Sequence, residues 1–267
     1  MKVGHKDGGW RSVLPPMVTV LLFLLLWEAG VRWFRVEKWL LPAPSDIGQA
    51  FWKSRELVLR HTGPTLEEAL LGLGTGIGAA LLLAVLLELS SWLRRGVYPL
   101  LIGTQTVPII AVAPLFIVWF GYGLLPKVLI VALVTFFPVV VSTLDGLRSA
   151  DSDMIRLLRS MGAGKWRIFR MVRFPSALPY FFSGVKIAAT YGVLGAVIAE
   201  WLGASEGLGV FLIRAQNSFA ADQVFVAIGV ITCWSLLLFG LIQFLSRMLT
   251  PWAYLNPETV YKERKKV

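Results

Sequence analysis

Four ionisable residues, Glu28, Glu88, Lys186 and Glu200, fall in long apolar runs, near the ends predicted for them. An ionisable group at the centre of a bilayer costs about 2.5–3.5 kcal/mol on insertion scales, so each is a candidate for a pathway or gate. Near a run's end, the same side chains can also reach water along their apolar stems. Glu200, beside Trp201, is the foremost pathway candidate. The polar pair Gln105 and Thr106, within one turn of Pro108, is the next. His5 and His61 are too far apart and too poorly accompanied for a metal site. No Ser/His/Asp or Cys/His set lies on matching elements, so an intramembrane enzyme is a remote alternative.

The chain also lacks a phosphate loop of its own. Gly162-Ala-Gly-Lys165 imitates one, but a Walker A loop needs Gly at 159 and Ser or Thr at 166, where this chain has Arg159 and Trp166. Gly72, Gly74, Gly76 and Gly78 follow no strand, so they are not a nucleotide fingerprint. They read as two overlapping GxxxG pairs that let helix backbones approach closely. Any ATP chemistry would have to come from a partner.

The elements that hold these residues are membrane helices. With 56% hydrophobic residues and a mean hydropathy of +0.69, 267 residues are too apolar for a soluble domain. The formal charge of +10 sits between and beyond the apolar runs, which fits membrane topology better than nucleic-acid binding. A spanning helix needs about 20 mostly apolar residues. Six windows meet or approach that, at 14–31, 66–92, 97–120, 125–144, 178–202 and 224–249. The expected fold is an all-α polytopic bundle of about six transmembrane helices.

Six spans put both termini on one side. If that side is cytoplasmic, Lys and Arg number 17 there against 8 outside, with Lys186 left within a span. Six of the eight, Arg32, Arg35, Lys38, Lys53, Arg55 and Arg60, lie in the first loop and count against this orientation. No small-residue cleavage site follows Ala29, so the first span reads as uncleaved. A single cysteine, Cys233, allows no intrachain disulfide.

Within the first loop, LPAPS is a turn, and Ser45 or Asp46 can cap a helix over 47–61 that is either interfacial or a solvated connector. Pro108 and Pro114 should kink the third span, making it the leading candidate for a pathway wall, and Pro138 repeats the device in the fourth. The outer loop 203–222 is Gly-rich and then amphipathic, either a contact for a delivering protein or a plain connector. The basic tail at 257–267 reads as a solvated end.

The stretch 151–179 is a cationic, Gly-broken island between apolar runs. Met154, Leu157, Leu158 and Met161 make one helical face, Asp151, Ser152 and Asp153 supply its cap and first turn, and Gly162 and Gly164 can end it. A second short helix puts Arg167, Arg170 and Arg173 on one side and Ile168, Phe169, Met171 and Val172 on the other, until Pro175 and Pro179 interrupt it. The result is a packed knob able to touch another protein.

The spacing of Gly162, Val172, Phe174 and Pro175 resembles the cytoplasmic EAA loop of permease subunits of binding-protein-dependent ABC importers. It departs from that pattern where Arg156, Leu157 and Leu158 replace the usual acidic and small opening residues. From about residue 41 to 249, LPAPS, VPIIAVAPLFIVWFGYGLLPK, FFPVVVSTLDGLRS and AEWLGASEGLG resemble the branch serving alkanesulfonates, taurine, nitrate, thiamine-pyrimidine precursors and riboflavin.

The resemblance implies a single type I importer-like permease domain over 1–267, with a core bundle at about 66–249 and a cytoplasmic coupling loop at about 145–177. It implies a homodimeric pore in the bacterial cytoplasmic membrane, a solute-binding protein outside, and ATPase subunits that bind ATP and Mg while this chain binds no cofactor. Leu157, Leu158, Met161, Gly162, Ala163, Trp166 and Arg167 would then couple to the ATPase, and Gln105, Thr106, Pro108, Pro114 and Glu200 are pathway candidates. The substrate inclination is a thiamine-pyrimidine precursor or related aromatic, with a sulfonate-, taurine- or nitrate-type anion next. An ion-coupled secondary transporter is the alternative, but it should show internal repeats, and the 29-residue island has no counterpart between spans one and three.

Overall fold

A computed structural model describes residues 9–254, with side chains from Leu14 onward. His5 and the basic tail lie outside them. The described residues form α1 (Gly9–Trp33), α2 (Pro44–Leu89), α3 (Ser91–Thr104), α4 (Ile109–Phe120), α5 (Leu124–Arg148), α6 (Ser152–Ser160), α7 (Lys165–Ile168), a π turn (Phe169–Arg173), α8 (Phe174–Glu200), α9 (Leu208–Asn217) and α10 (Ala221–Leu249). Five helical stretches are long and apolar enough to span a membrane, or six if α3 and α4 count as one bent span. The chain is an all-α membrane protein, as its hydropathy predicts.

Several boundaries differ from the sequence expectation, each for a local reason. The helix over 47–61 is not separate: α2 begins at Pro44 and runs 46 residues through Gly63 and Pro64. Pro44 suits a first helical position, where its missing N–H costs nothing. Ile47 N–H donates to Ala43 O at 3.1 Å, so the helix starts before Ser45 and Asp46, and neither of those is its cap.

The third span is not one kinked helix. Its halves, α3 and α4, meet at 102° across a break of four residues. Pro108 makes the break, because the residue before a proline is pushed out of helical geometry. The turn leading to it closes with short-range bonds, Thr106 N–H to Gly103 O at 3.2 Å and Val107 N–H to Thr104 O at 3.2 Å. Pro114 lies within α4 without ending it.

Pro175 and Pro179 do not interrupt their helix either, and residues Lys165–Glu200 form one helical stretch. The π turn widens the backbone just before Pro175, with Phe174 N–H reaching back to Phe169 O. Nearby hydroxyls supply further bonds, Ser176 Oγ to Val172 O at 2.8 Å and Ser183 Oγ to Pro179 O at 3.0 Å. Such local adjustments are how helices in membranes tolerate proline.

The chain divides into two compact units, one of residues up to Leu59 with Phe211–Gly229, the other of Arg60–Val210 with Val230 onward. In the first, Glu28 at the end of α1 is tied to the start of α2. Its carboxylate accepts from Ser45 N–H at 3.0 Å, Ser45 Oγ at 2.8 Å and Arg32 Nε at 2.5 Å. Lys38 pairs with Asp46 at 2.7 Å.

In the second unit, α5 and α8 form the most extensive helix pair. Small residues set their approach: a Cβ on Gly184 would stand 2.6 Å from Pro138 O, and one on Gly146 would stand 2.9 Å from Ala177 Cα. Of the four α2 glycines, one GxxxG pair packs as expected. A Cβ on Gly76 would stand 2.8 Å from Ala132 O, and one on Gly72 would overlap Val131, while Gly74 and Gly78 face open space. Packing and interhelical hydrogen bonds replace the hydrophobic drive that is absent between helices in lipid. Thr135 Oγ1 lies 3.4 Å from Gly72 O across this seam.

Candidate functional site

The island folds into the knob its sequence describes. Asp151 caps α6, its carboxylate accepting from Asp153 N–H at 2.8 Å and Met154 N–H at 3.4 Å. Gly162, with φ +78°, ends it. Ala163 N–H bonds Leu158 O at 2.9 Å and Gly162 N–H bonds Arg159 O at 3.0 Å, the paired closure of a Schellman turn.

None of the α6 side chains is buried. Leu157 is 55% exposed, and Met161 and Trp166 are each 73% exposed, while Leu158 and Ala163 are half-buried and Gly162 and Arg167 exposed. Trp166 stacks on Phe169 with centroids 5.6 Å apart, giving the knob a flat aromatic plate. All seven residues expected to couple therefore lie on one short double turn.

The knob is anchored from below by Glu88. Its carboxylate pairs with Arg173 and, at 3.5 Å, with Arg94, so it clamps the end of α2 to the start of α3 and to the π turn. Between the knob and the ends of α2 and α5 lies a cavity of about 940 Å³, lined among others by Leu81, Val85, Leu147, Trp166 and Phe181.

A second constellation surrounds Glu200, which is 1% exposed. The first turn of a helix leaves N–H groups without intrahelical partners. At the start of α9 three side chains take them: His61 Nδ1 accepts from Gly207 at 2.9 Å, Thr65 Oγ1 from Leu208 at 2.8 Å, and Glu200 Oε2 from Gly209 at 2.5 Å. Thr65 Oγ1 also donates to Glu200 Oε1 at 2.5 Å. Only glycine fits at 209, where a Cβ would stand 2.5 Å from Val197 O. Glu200, His61 and Thr65 together thus hold the 207–209 backbone in this conformation.

One further turn along α2, Glu68 pairs with Lys127 at 2.5 Å. Sequence reasoning missed His61, Thr65, Glu68 and Lys127. Their signal was the repetition of polar residues at 61, 65 and 68 on one helical face, opposite a Gly-rich segment.

Gln105, Thr106 and Pro108 are exposed in the bend between α3 and α4, with Thr106 Oγ1 bonded to Gly103 O at 2.8 Å, and Pro114 is exposed on α4. The structure brings these four to one broken segment but does not join them to Glu200.

Long apolar helices, a bend of 102° between α3 and α4 and an exposed knob between spans are the architecture of a polytopic membrane protein. The chain belongs to the family of binding-protein-dependent transport system inner membrane components, whose profile matches residues 73–252. It is 38% identical to the formylaminopyrimidine transport permease protein of Halalkalibacterium halodurans over 90% of this chain and 96% of that one. It is 36% identical to the riboflavin transport system permease protein of Chloroflexus aurantiacus, over 91% of each chain. With the taurine transport system permease protein of Escherichia coli it shares 31% identity over 91% of this chain and 90% of the relative. The protein is an ABC importer permease for small solutes, of the sulfonate, taurine and thiamine-precursor branch.

Proposed function

We propose that this chain is the membrane subunit of an ATP-driven importer, with its 151–174 knob seated on a separate ATPase subunit that binds ATP and Mg. The observation that carries the reading is the knob itself: an exposed apolar and aromatic surface, rigidly capped at Asp151 and closed at Gly162, on a chain without a Walker A loop. A solute-binding protein delivers from outside, both termini are cytoplasmic, and two copies form the pore. Alternating access follows if nucleotide and loaded binding protein each favour one of two pore states, since a ligand shifts an equilibrium only by its differential affinity. The solute is a thiamine-pyrimidine precursor or related heteroaromatic, a reading supported by the 38% identity to the formylaminopyrimidine permease.

The test is reconstitution in liposomes with the cognate ATPase and binding protein. ATP-dependent accumulation of formylaminopyrimidine is expected. Accumulation by this chain alone, driven by an ion gradient and indifferent to the ATPase, overturns the proposal.

A further inference from the structure

Lys186 is not near the end of a span. Between Arg173 and Glu200 it is the sole charged residue, thirteen positions from one and fourteen from the other. At 1.5 Å per residue that places it about 20 Å from each, near the middle of a hydrocarbon layer about 30 Å thick. Its ammonium donates to Gln243 Oε1 of α10 at 2.9 Å. Among the described residues no carboxylate pairs with it. A cation at this depth with only a neutral partner needs a further acceptor or water.

The face of α8 beside Lys186 is unlike a lipid-facing surface. Tyr180, Ser183, Ile187, Thr190, Tyr191 and Leu194 are exposed along it, and four of these six carry hydroxyls. By contrast, the exposed residues of α10 from 236 to 245 are Leu, Phe and one Gly, with the polar exposed Thr232 and Arg247 lying outside that stretch. Tyr191 is 49% exposed about 7.5 Å farther along the helix than Lys186, and among the described residues its hydroxyl has no hydrogen-bond partner. A second copy packing the same face symmetrically would bring no acid to Lys186, because the face contains none. Water and a passing solute would satisfy it.

We infer that Lys186, held by Gln243 and flanked by Ser183, Thr190 and Tyr191, is the mid-membrane point where a solute with an acceptor-rich edge, a carbonyl or an anionic oxygen, exchanges water for protein donors. The tyrosine ring offers a flat or apolar body something to rest on, and the ammonium takes the acceptor. This rests on the importer reading, and names the wall of its pathway.

The first test needs no substrate. In a Cys233→Ala background, Ser183→Cys and Tyr191→Cys are treated with a water-soluble charged thiol reagent, with Leu237→Cys as the lipid-facing control. Labelling at 183 and 191 but not at 237 is expected. Labelling that fails at 183 and 191 overturns the inference.

The second test uses the reconstituted importer, with formylaminopyrimidine and taurine as parallel probes. Lys186→Met should lower uptake about tenfold or more, the cost of one charge-assisted hydrogen bond, while ATPase association persists. Lys186→Gln separates the two acceptors: uptake kept within about threefold indicates a neutral carbonyl, and uptake lost as in Lys186→Met indicates an anion. Unchanged uptake in Lys186→Met overturns the inference and leaves the importer reading intact, whereas absence of ATP-dependent uptake by the unmutated assembly counts against that reading instead.

Discussion

The Thr65 hydroxyl donates to Glu200 Oε1 at 2.5 Å and accepts from Leu208 N–H at 2.8 Å. One side-chain oxygen therefore serves both a buried carboxylate and the open end of α9. Thr65→Val keeps the shape but leaves an acceptor and a donor unsatisfied in a buried place. A loss of about 1–3 kcal/mol is expected, read as a lower thermal midpoint in detergent, with Thr65→Ser restoring most of it. Equal midpoints for the Val and Ser variants would show that the hydroxyl is idle.

The α2 glycines give a paired experiment. Gly76→Leu drives a side chain into the α5 backbone at Ala132, and overpacking of that kind costs about 1–3 kcal/mol. Gly74→Leu, two residues away, enters open space and should leave detergent stability unchanged. Because Leu favours a helix over Gly, similar losses in both would mean that the α2–α5 approach does not set the effect.

Gly162 combines positive φ with an exposed position. Gly162→Ala costs about 1 kcal/mol for the left-handed conformation and is expected to retain ATPase binding. Gly162→Glu adds charge to the proposed docking elbow and should abolish ATPase co-purification and uptake while membrane insertion is normal. Normal association and uptake in Gly162→Glu would remove the knob from its proposed role.

Glu88 is shared by Arg94 and Arg173, so its deletions should not add. In a cycle of Glu88→Gln with Arg173→Gln, the double variant is expected to be less destabilised than the sum of the singles by about 0.5–3 kcal/mol. Simple additivity in thermal unfolding would show that the clamp carries no coupling.

Much of the fold was legible because bilayer physics is written in composition: long apolar runs predict helices, and α5, α8 and α10 appear near their expected places. The knob was legible for a different reason. Asp151 and Gly162 act on their own neighbours, and local chemistry needs no tertiary knowledge.

The rest depended on partners that no periodicity names. Gly72 and Gly74 look alike in sequence, yet only one meets α5. Pro108 breaks a helix and Pro175 does not, because a π turn lies before the latter. His61 and Thr65 gained roles only when a segment more than 140 residues away supplied the N–H groups they cap.

From Lys165 to Glu200 the backbone is helical for 36 residues, a rod about 54 Å long at 1.5 Å per residue. One end carries the Trp166 plate and the other the carboxylate that grips Gly209. In the proposed importer, a shift of the plate against the ATPase would be carried to the grip by one continuous helical backbone, with no relay of side chains between them. The widened turn at Phe169–Arg173 sits close to the input end.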